Sequence, residues 1–155
     1  MSYEPGRVMA LDVGGKRIGI ALSDTLRFLA SPLTTIKALP RPSALAQIAA
    51  LIATHEVAEL VVGLPLTLSG EVGPQAELTN RFVADLQLHV TIPVHMFDER
   101  LTTAEAERVM KDMGLRADQR KARIDEMAAS IILRDFLDSR RPPRTDDFDE
   151  ADYRG

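Results

Sequence analysis

Residues 11–24 read LDVGGKRIGIALSD, two apolar runs separated by a glycine pair and a Lys-Arg pair. The first run starts at Arg7 and the second covers Arg17–Ser23, so the stretch predicts a β-hairpin with a tight turn at Gly14-Gly15. One residue interrupts the apolar pattern. The carboxylate of Asp12 lies where a buried strand should be most hydrophobic, and this position needs a chemical explanation.

The rest of the chain begins as strands and then changes to helical periodicity. Pro32 predicts that the third strand lies at a sheet edge or contains a break, and Ser43 is the predicted N-cap of the first helix. The further elements predicted from the spacing of apolar residues are, in order, a strand at Phe28–Ile36, a helix after Ser43, a strand at Glu59–Gly63, a helix from about Gln75 to Leu88, a strand at Ile92–Phe97, a helix from Thr102 to about Met113 and a helix at about Arg120–Asp138.

This order of elements predicts the fold class. Three consecutive strands favour an antiparallel arrangement, and the later strands are each reached through a helix, which favours parallel pairing. We therefore expect an α/β protein with three layers, in which a mixed sheet carries helices on both faces. The sequence contains no internal repeat and no sign of a second folded domain.

The composition limits the classes of protein to consider. Of the 155 residues, 45% are hydrophobic and 27% are charged, as is typical of one globular domain. The chain has no cysteine, which excludes disulfides and thiolate metal sites. It also has no apolar run long enough to span a membrane and no signal-peptide pattern. We therefore expect a cytoplasmic protein without a membrane partner.

The negative charge is concentrated at the C-terminus. Residues 142–155, PPRTDDFDEADYRG, carry a net charge of −3 out of −4 for the whole chain, which leaves −1 on residues 1–141. We expect one folded domain over 1–141 and an acidic, disordered tail over 142–155. A nearly neutral domain is still able to present a local basic patch to nucleic-acid phosphates.

Several carboxylates fall at the predicted ends of strands, where open α/β sheets place their ligand sites. Asp12 is near the end of the first strand, Asp98 and Glu99 follow the last strand, and Asp125 lies in the first turns of an apolar helix with its side chain predicted to face the sheet. Carboxylates that meet repel one another unless a cation neutralises them. All-oxygen ligands favour Mg²⁺ or Mn²⁺, and two such ions about 4 Å apart would suit phosphodiester hydrolysis.

Basic residues flank these acids along the chain, as a nucleic-acid backbone passing over the metal ions would require. The candidates for phosphate contact are Lys16, Arg17, Arg100, Lys121 and Arg123.

Each residue also has a purely structural explanation. Asp12 could be a turn residue before two glycines, Asp98 could cap a helix or pair with Arg100, and Asp125 could complement a helix N-terminus. Lys121 and Arg123 could form a solvated helix face. The catalytic interpretation depends on the joint placement of the acids at strand ends.

The whole pattern resembles the YqgF family, whose members are described as Holliday-junction resolvases or pre-16S ribosomal RNA nucleases of the ribonuclease-H-like fold. The resemblance covers about residues 7–138, and the matching segments keep their order and spacing. These segments are LDVGGKRIGIALSD at 11–24, VVGLPLTLSGEVGP at 61–74, PVHMFDERLTTAEA at 93–106 and IDEMAASIIL at 124–133.

The resemblance implies a ribonuclease-H-like fold with a five-stranded mixed sheet, and a metal-dependent endonuclease that uses Mg²⁺ or Mn²⁺. It implies that Asp12, Glu99 and Asp125 are the catalytic metal ligands, so that Glu99 is preferred to Asp98. Glu126 departs from the family pattern, which suggests altered metal affinity or an additional ligand.

Two other functions stay open from the sequence. Asp12-Val13-Gly14 resembles the start of the phosphate loop in actin-type and sugar-kinase-type phosphotransferases, although that class normally uses two such domains. A non-catalytic module that binds nucleic acid or the ribosome is the second alternative. For the nuclease, four-way junction DNA and precursor 16S rRNA are both candidate substrates, and symmetric junction cutting would require a homodimer.

Overall fold

The computed structural model describes residues 5–65, 73–98 and 108–141. These residues form five strands and three long helices, with a further helical segment at 108–112. The strands are β1 (Arg7–Val13), β2 (Arg17–Ser23), β3 (Ala30–Lys37), β4 (Val57–Leu64) and β5 (Val94–Asp98), and the helices are α1 (Arg41–His55), α2 (Pro74–Gln87) and α3 (Ala117–Arg140).

The five strands form one mixed sheet in the order β3-β2-β1-β4-β5. The first three strands pair antiparallel, whereas β4 pairs parallel to both β1 and β5. Both features confirm the predicted topology. The carboxyl ends of β1, β4 and β5 consequently lie at one end of the sheet, where ligand sites of α/β folds are found.

Helices cover both faces of the sheet, as predicted. Side chains alternate along each strand, so Met9 and Leu11 pack with residues of α1 and α2, whereas Val8 and Ala10 pack with residues of α3. We call these two sides the α1/α2 face and the α3 face. Since both faces are buried, β1 is apolar at nearly every position rather than at every second one.

Small residues line the α3 face and let the helix approach the sheet closely. Ala10 and Ala21 are fully buried beneath α3. A Cβ atom at Gly63 would lie 2.5 Å from Cδ1 of Ile132, and one at Gly19 would overlap the backbone of Asp125. This close packing fixes the position of α3 over the strands.

Two helix ends differ in how well the sequence predicted them. Gly114 adopts a positive φ of 78° and follows the helical segment 108–112, as expected for a residue that ends a helix. Ser43 was the wrong N-cap, because α1 begins at Arg41 after Pro40. Pro42 is the physical reason, since proline lacks an N–H group and fits the first turn of a helix without losing a hydrogen bond.

Other boundaries differ from the prediction by only a few residues, and β3 is an edge strand, as Pro32 indicated. The predicted start of a helix at Thr102 and the predicted tail at 142–155 lie outside the described residues. Among the helices of the described ranges, none is long and apolar enough to cross a membrane.

A charged cluster fastens the C-terminal end of α3 to the sheet. The Glu59 carboxylate on β4 contacts Nε2 of His95 at 2.8 Å, Nη1 of Arg140 at 3.2 Å, and the Arg27 guanidinium. Partial burial would raise the pKa of Glu59, but the hydrogen bonds from His95, Arg27 and Arg140 lower it to about 2. The ionised form of Glu59 is therefore favoured by folding.

Replacing Glu59 with glutamine should destabilise the protein at neutral pH by about 2 kcal/mol, because it removes the charge that His95, Arg27 and Arg140 surround. The folded-state pKa is below the ordinary value of 4.5, so this stability is present above that pH and lost as the pH falls toward about 2. Urea unfolding at pH 7 and pH 3 measures both effects. Equal unfolding free energies for parent and Glu59→Gln at pH 7 would contradict the assigned role.

Candidate active site

Asp12 lies at the carboxyl end of β1, as predicted. It is the next-to-last residue of the strand, and its Cα pairs with that of Gly19 on β2. Strand alternation places the Asp12 side chain on the α3 face, the side to which Val8 and Ala10 also point. The side chain is partly buried beneath α3.

The contact between α3 and Gly19 brings Asp125 beside Asp12. The backbone of Asp125 lies so close to Gly19 that a Cβ atom would overlap the Asp125 carbonyl oxygen. Because Gly19 is the cross-strand partner of Asp12, this contact places Asp125 of α3 close to Asp12. Burial, and then the negative charge of Asp125, raise the pKa of Asp12 from 3.8 to about 6.

The position of Asp125 corrects one expectation and excludes one structural alternative. Asp125 does not lie in the first turns of the helix, because α3 begins at Ala117 and residue 125 is in its third turn. Helix N-terminal charge effects fade within the first turn, so they do not explain this acid. The predicted orientation toward the sheet is confirmed by the hydrogen bond that the Asp125 carboxylate accepts from Arg17 on β2.

Arg17 neutralises part of the negative charge. Its Nε–H donates a hydrogen bond to Oδ2 of Asp125 at 2.7 Å, and the Arg17 side chain is 51% exposed. Arg17 shares the α3 face with Gly19, two residues farther along β2. Asp125 therefore lies between a like charge on β1 and an opposite charge on β2.

The pair Asp12 and Asp125 fits a hard divalent cation. Both donors are carboxylate oxygens, the ligands that Mg²⁺ and Mn²⁺ prefer. Burial, and then the negative charge of Asp125, raise the pKa of Asp12, so the ionised form of Asp12 is disfavoured at this position. A divalent ion would supply the missing positive charge and favour ionised Asp12.

Other predicted site residues lie outside the described part of the chain. Glu99 and Arg100 are in the range 99–107, and the side chain of Lys121 is also not described, although its backbone belongs to α3. Asp98 ends β5 with an exposed side chain, and its Cα pairs with that of Leu64. In the described ranges no group of three or more acidic or histidine side chains is placed to hold a metal.

The remaining basic candidates have different surroundings. Lys16 is exposed in the turn between β1 and β2. Arg123 donates from Nε to Oε1 of Glu126 at 3.1 Å, so this cation is engaged by its own helix. Glu126, which departs from the family pattern, is thus held by Arg123.

Sequence reasoning missed three residues that build the site. Gly19 and Gly63 lie on either side of β1, and each leaves room for α3. Glycine inside an apolar strand is a sequence signal of close backbone approach. Gln75 donates from Nε2 to the carbonyl oxygen of Val13 at 3.0 Å, which ties the start of α2 to the strand end beside Asp12. No sequence signal pointed to this contact.

Comparisons with known proteins identify the family of the chain. The family model described as RuvX: Holliday junction resolvase matches residues 6–139. The chain belongs to the RuvX family. A protein from Roseiflexus sp. (strain RS-1), named "Putative pre-16S rRNA nuclease", is 62% identical over 141 residues, which cover 91% of this chain and 100% of the relative. A protein of the same name from Chloroflexus aurantiacus (strain ATCC 29366 / DSM 635 / J-10-fl) is 52% identical over 134 residues, covering 86% of this chain and 88% of the relative.

Solved structures support the fold. The structure described as "T. thermophilus RuvC in complex with Holliday junction substrate" has a TM-score of 0.54 and 16% sequence identity. The superposition covers 87% of this chain and 95% of the chain of that structure. At this identity the similarity shows the shared fold only, and it confirms the predicted ribonuclease-H-like architecture. RuvX membership confirms the family resemblance and the predicted class of enzyme, a nuclease, and it implies the use of a divalent metal.

Proposed function

We propose that this chain is an endonuclease that hydrolyses phosphodiester bonds of structured nucleic acid with Mg²⁺ or Mn²⁺, using two ions. The observation that carries the proposal is the meeting of Asp12 and Asp125. These acids come from β1 and α3, elements far apart in sequence, and they meet because the backbone of Asp125 packs against Gly19, the cross-strand partner of Asp12. Two carboxylates that meet at the carboxyl end of a central strand repel each other and destabilise the fold unless a cation binds between them.

Glu99 is the proposed third ligand. It follows directly after β5, whose last residue Asp98 pairs with Leu64 on β4. Within β5, Phe97 packs on the α3 face, and the side chain of the next residue, Asp98, points to the opposite face of the sheet. Asp98 therefore points away from the α3 face and from Asp12, which supports the preference for Glu99 that the family resemblance implies.

The residues of the chain have separable roles in this proposal. Asp12, Glu99 and Asp125 would hold the cations, which would supply an activated water and stabilise charge on the leaving oxygen. The strand β1 and the packed helix α3 keep the two described acids rigidly placed, which limits reorganisation during the reaction. Lys16 and Arg17, with the further candidates Arg100, Lys121 and Arg123, would bind phosphates beside the acids.

The family and the relatives suggest two candidate substrates, and one experiment distinguishes between them. The family description names the Holliday junction and the named relatives point to precursor 16S rRNA. Cleavage of a mobile four-way junction, a linear DNA duplex and a ribosomal RNA precursor should be compared with Mn²⁺ and Mg²⁺, using parent and Asp12→Asn proteins. We expect cleavage of the junction or the precursor by the parent only, with the linear duplex cut far more slowly.

The outcomes of this comparison distinguish the functions. Binding without cleavage of any substrate would support the non-catalytic module and contradict the proposal. Cleavage of the junction at symmetric positions would require two active sites, and sedimentation of the complex would then show a homodimer. Cleavage by Asp12→Asn at the parental rate would show that the metal ligands are wrongly assigned.

Metal binding should also stabilise the fold. A ligand that binds only the folded state at about 100 times its Kd adds about 2.7 kcal/mol to the unfolding free energy. We expect Mn²⁺ or Mg²⁺ to raise the melting temperature of the parent, and Asp125→Asn to lose most of this increase. Calorimetry with Asp118→Asn, an exposed acid in the first turn of α3, provides the control. An equal shift in all three proteins would place the bound metal elsewhere.

A further inference from the structure

The ion pair between Arg17 and Asp125 has a consequence for metal loading. Its Nε–Oδ2 distance of 2.7 Å is that of a charge-assisted hydrogen bond. The same carboxylate is the one that a cation shared with Asp12 must use. A guanidinium and a divalent ion bound to the same carboxylate would repel each other, because both carry positive charge.

The surroundings of Arg17 allow it to leave. Its side chain is 51% exposed, whereas that of Asp125 is 23% exposed. The backbone of Asp125 is held by α3 against Gly19, so its position beside Asp12 does not depend on Arg17. Arg17 is the first residue of β2 and follows the exposed turn of Gly15 and Lys16, on the side of the sheet where β1 ends.

We infer that Arg17 and the divalent cation compete for the Asp125 carboxylate, so that metal binding releases Arg17 to contact a nucleic-acid phosphate. Arg17 thereby couples metal occupancy to nucleic-acid affinity. Without metal it lowers the repulsion between Asp12 and Asp125 and is engaged with Asp125. With metal bound, the planar guanidinium is available for a phosphate beside the site. This inference rests on the proposed metal site.

Nuclear magnetic resonance on the full-length, ¹⁵N-labelled protein tests the exchange directly. The Nε–H signal of Arg17 is identified by its absence in Arg17→Lys. We expect a signal protected from water exchange in the metal-free protein, because this group donates to Asp125. Saturating Mg²⁺ should remove that protection, and in Asp12→Asn the same Mg²⁺ concentration should leave the signal unchanged.

Metal affinity provides a second readout that does not involve cleavage. Mn²⁺ titrations should show tighter binding to Arg17→Ala than to the parent by about twofold to fivefold, the range expected when a partly exposed competing ion pair is removed. Lys16→Ala is the matched control, since it removes the same charge from the neighbouring residue. It should tighten Mn²⁺ binding much less.

Nucleic-acid binding completes the test. Fluorescence anisotropy with a labelled four-way junction, in Ca²⁺ or in chelator, should show a metal-dependent gain in affinity for the parent. Arg17→Ala should lose most of this gain, whereas Lys16→Ala should weaken binding by a similar factor in both conditions.

Failure of the inference differs from failure of the proposed function. Two results would overturn the competition alone. One is that Mg²⁺ shifts the backbone signals of Asp12 and Gly19 but leaves the protection of the Arg17 Nε–H unchanged. The other is that Arg17→Ala and Lys16→Ala bind Mn²⁺ with equal affinity. No Mg²⁺ or Mn²⁺ response near Asp12 would overturn the metal site and the inference together.

Discussion

Replacing Asp12 with asparagine is expected to lower the cleavage rate at least about a hundredfold to a thousandfold, because the change removes a charged metal ligand at the reacting phosphate. Asparagine keeps the size of the side chain, so β1 and its contacts with α3 should persist. The rate of single-turnover cleavage with saturating enzyme measures the effect. Nucleic-acid binding, measured in parallel, should fall far less than the rate.

The same substitution should stabilise the metal-free protein. Folding raises the pKa of Asp12 from 3.8 to about 6, so the folded state binds the proton more tightly than the unfolded chain. Stability therefore falls as the pH rises through this interval, and the full penalty of about 2–3 kcal/mol is present at pH 7.5. The asparagine side chain carries no charge, so the Asp12→Asn protein should not show this penalty.

Urea unfolding in the presence of a chelator tests the stability effect. At pH 7.5 the Asp12→Asn protein should have the larger unfolding free energy, and at pH 3.5 the two proteins should agree. Asp112→Asn, which removes an exposed acid at the end of the helical segment 108–112, controls for net charge. A lower stability of Asp12→Asn than of the parent at pH 7.5 would show that folding does not disfavour the ionised form of Asp12.

Replacing Gly19 with alanine is expected to destabilise the protein by about 3 kcal/mol or more and to impair cleavage as well. The new Cβ would overlap the carbonyl oxygen of Asp125, and the amide nitrogen of Glu126 would lie only 2.8 Å away. These are backbone atoms of α3, so no side-chain rotation relieves the overlap and the helix must move. Movement of α3 displaces Asp125 from Asp12.

Two other glycines serve as controls for this effect. A Cβ at Gly15 meets nothing within 4 Å, so Gly15→Ala should change stability by less than about 0.5 kcal/mol. A Cβ at Gly63 meets the terminal methyl of Ile132, which can shift, so Gly63→Ala should be the intermediate case and Ile132→Val should partly rescue it. Equal stability of Gly19→Ala and Gly15→Ala would show that α3 does not pack as described.

The central strands were predictable because their signals are local. The apolar run before Gly14-Gly15 and the run after Arg17 specify β1 and β2, and the helices that precede β4 and β5 specify parallel pairing. The N-terminus of α1 was not predicted correctly, since Ser43 and Pro42 both carry helix-start signals and proline decided the outcome.

The sequence by itself determined the order of elements along the chain, the antiparallel or parallel pairing of the strands, the family and the acids worth considering, because apolar periodicity and motif spacing are properties of the chain. Only the tertiary structure decided which acids meet. Asp125 lies beside Asp12 because Gly19 and Gly63 let α3 lie against the sheet. Arg17 contacts Asp125 because the same packing places α3 over the start of β2. A glycine inside a strand signals that another backbone approaches closely, but it does not specify which helix does so or which side chains then meet, because these depend on packing between elements far apart in the chain.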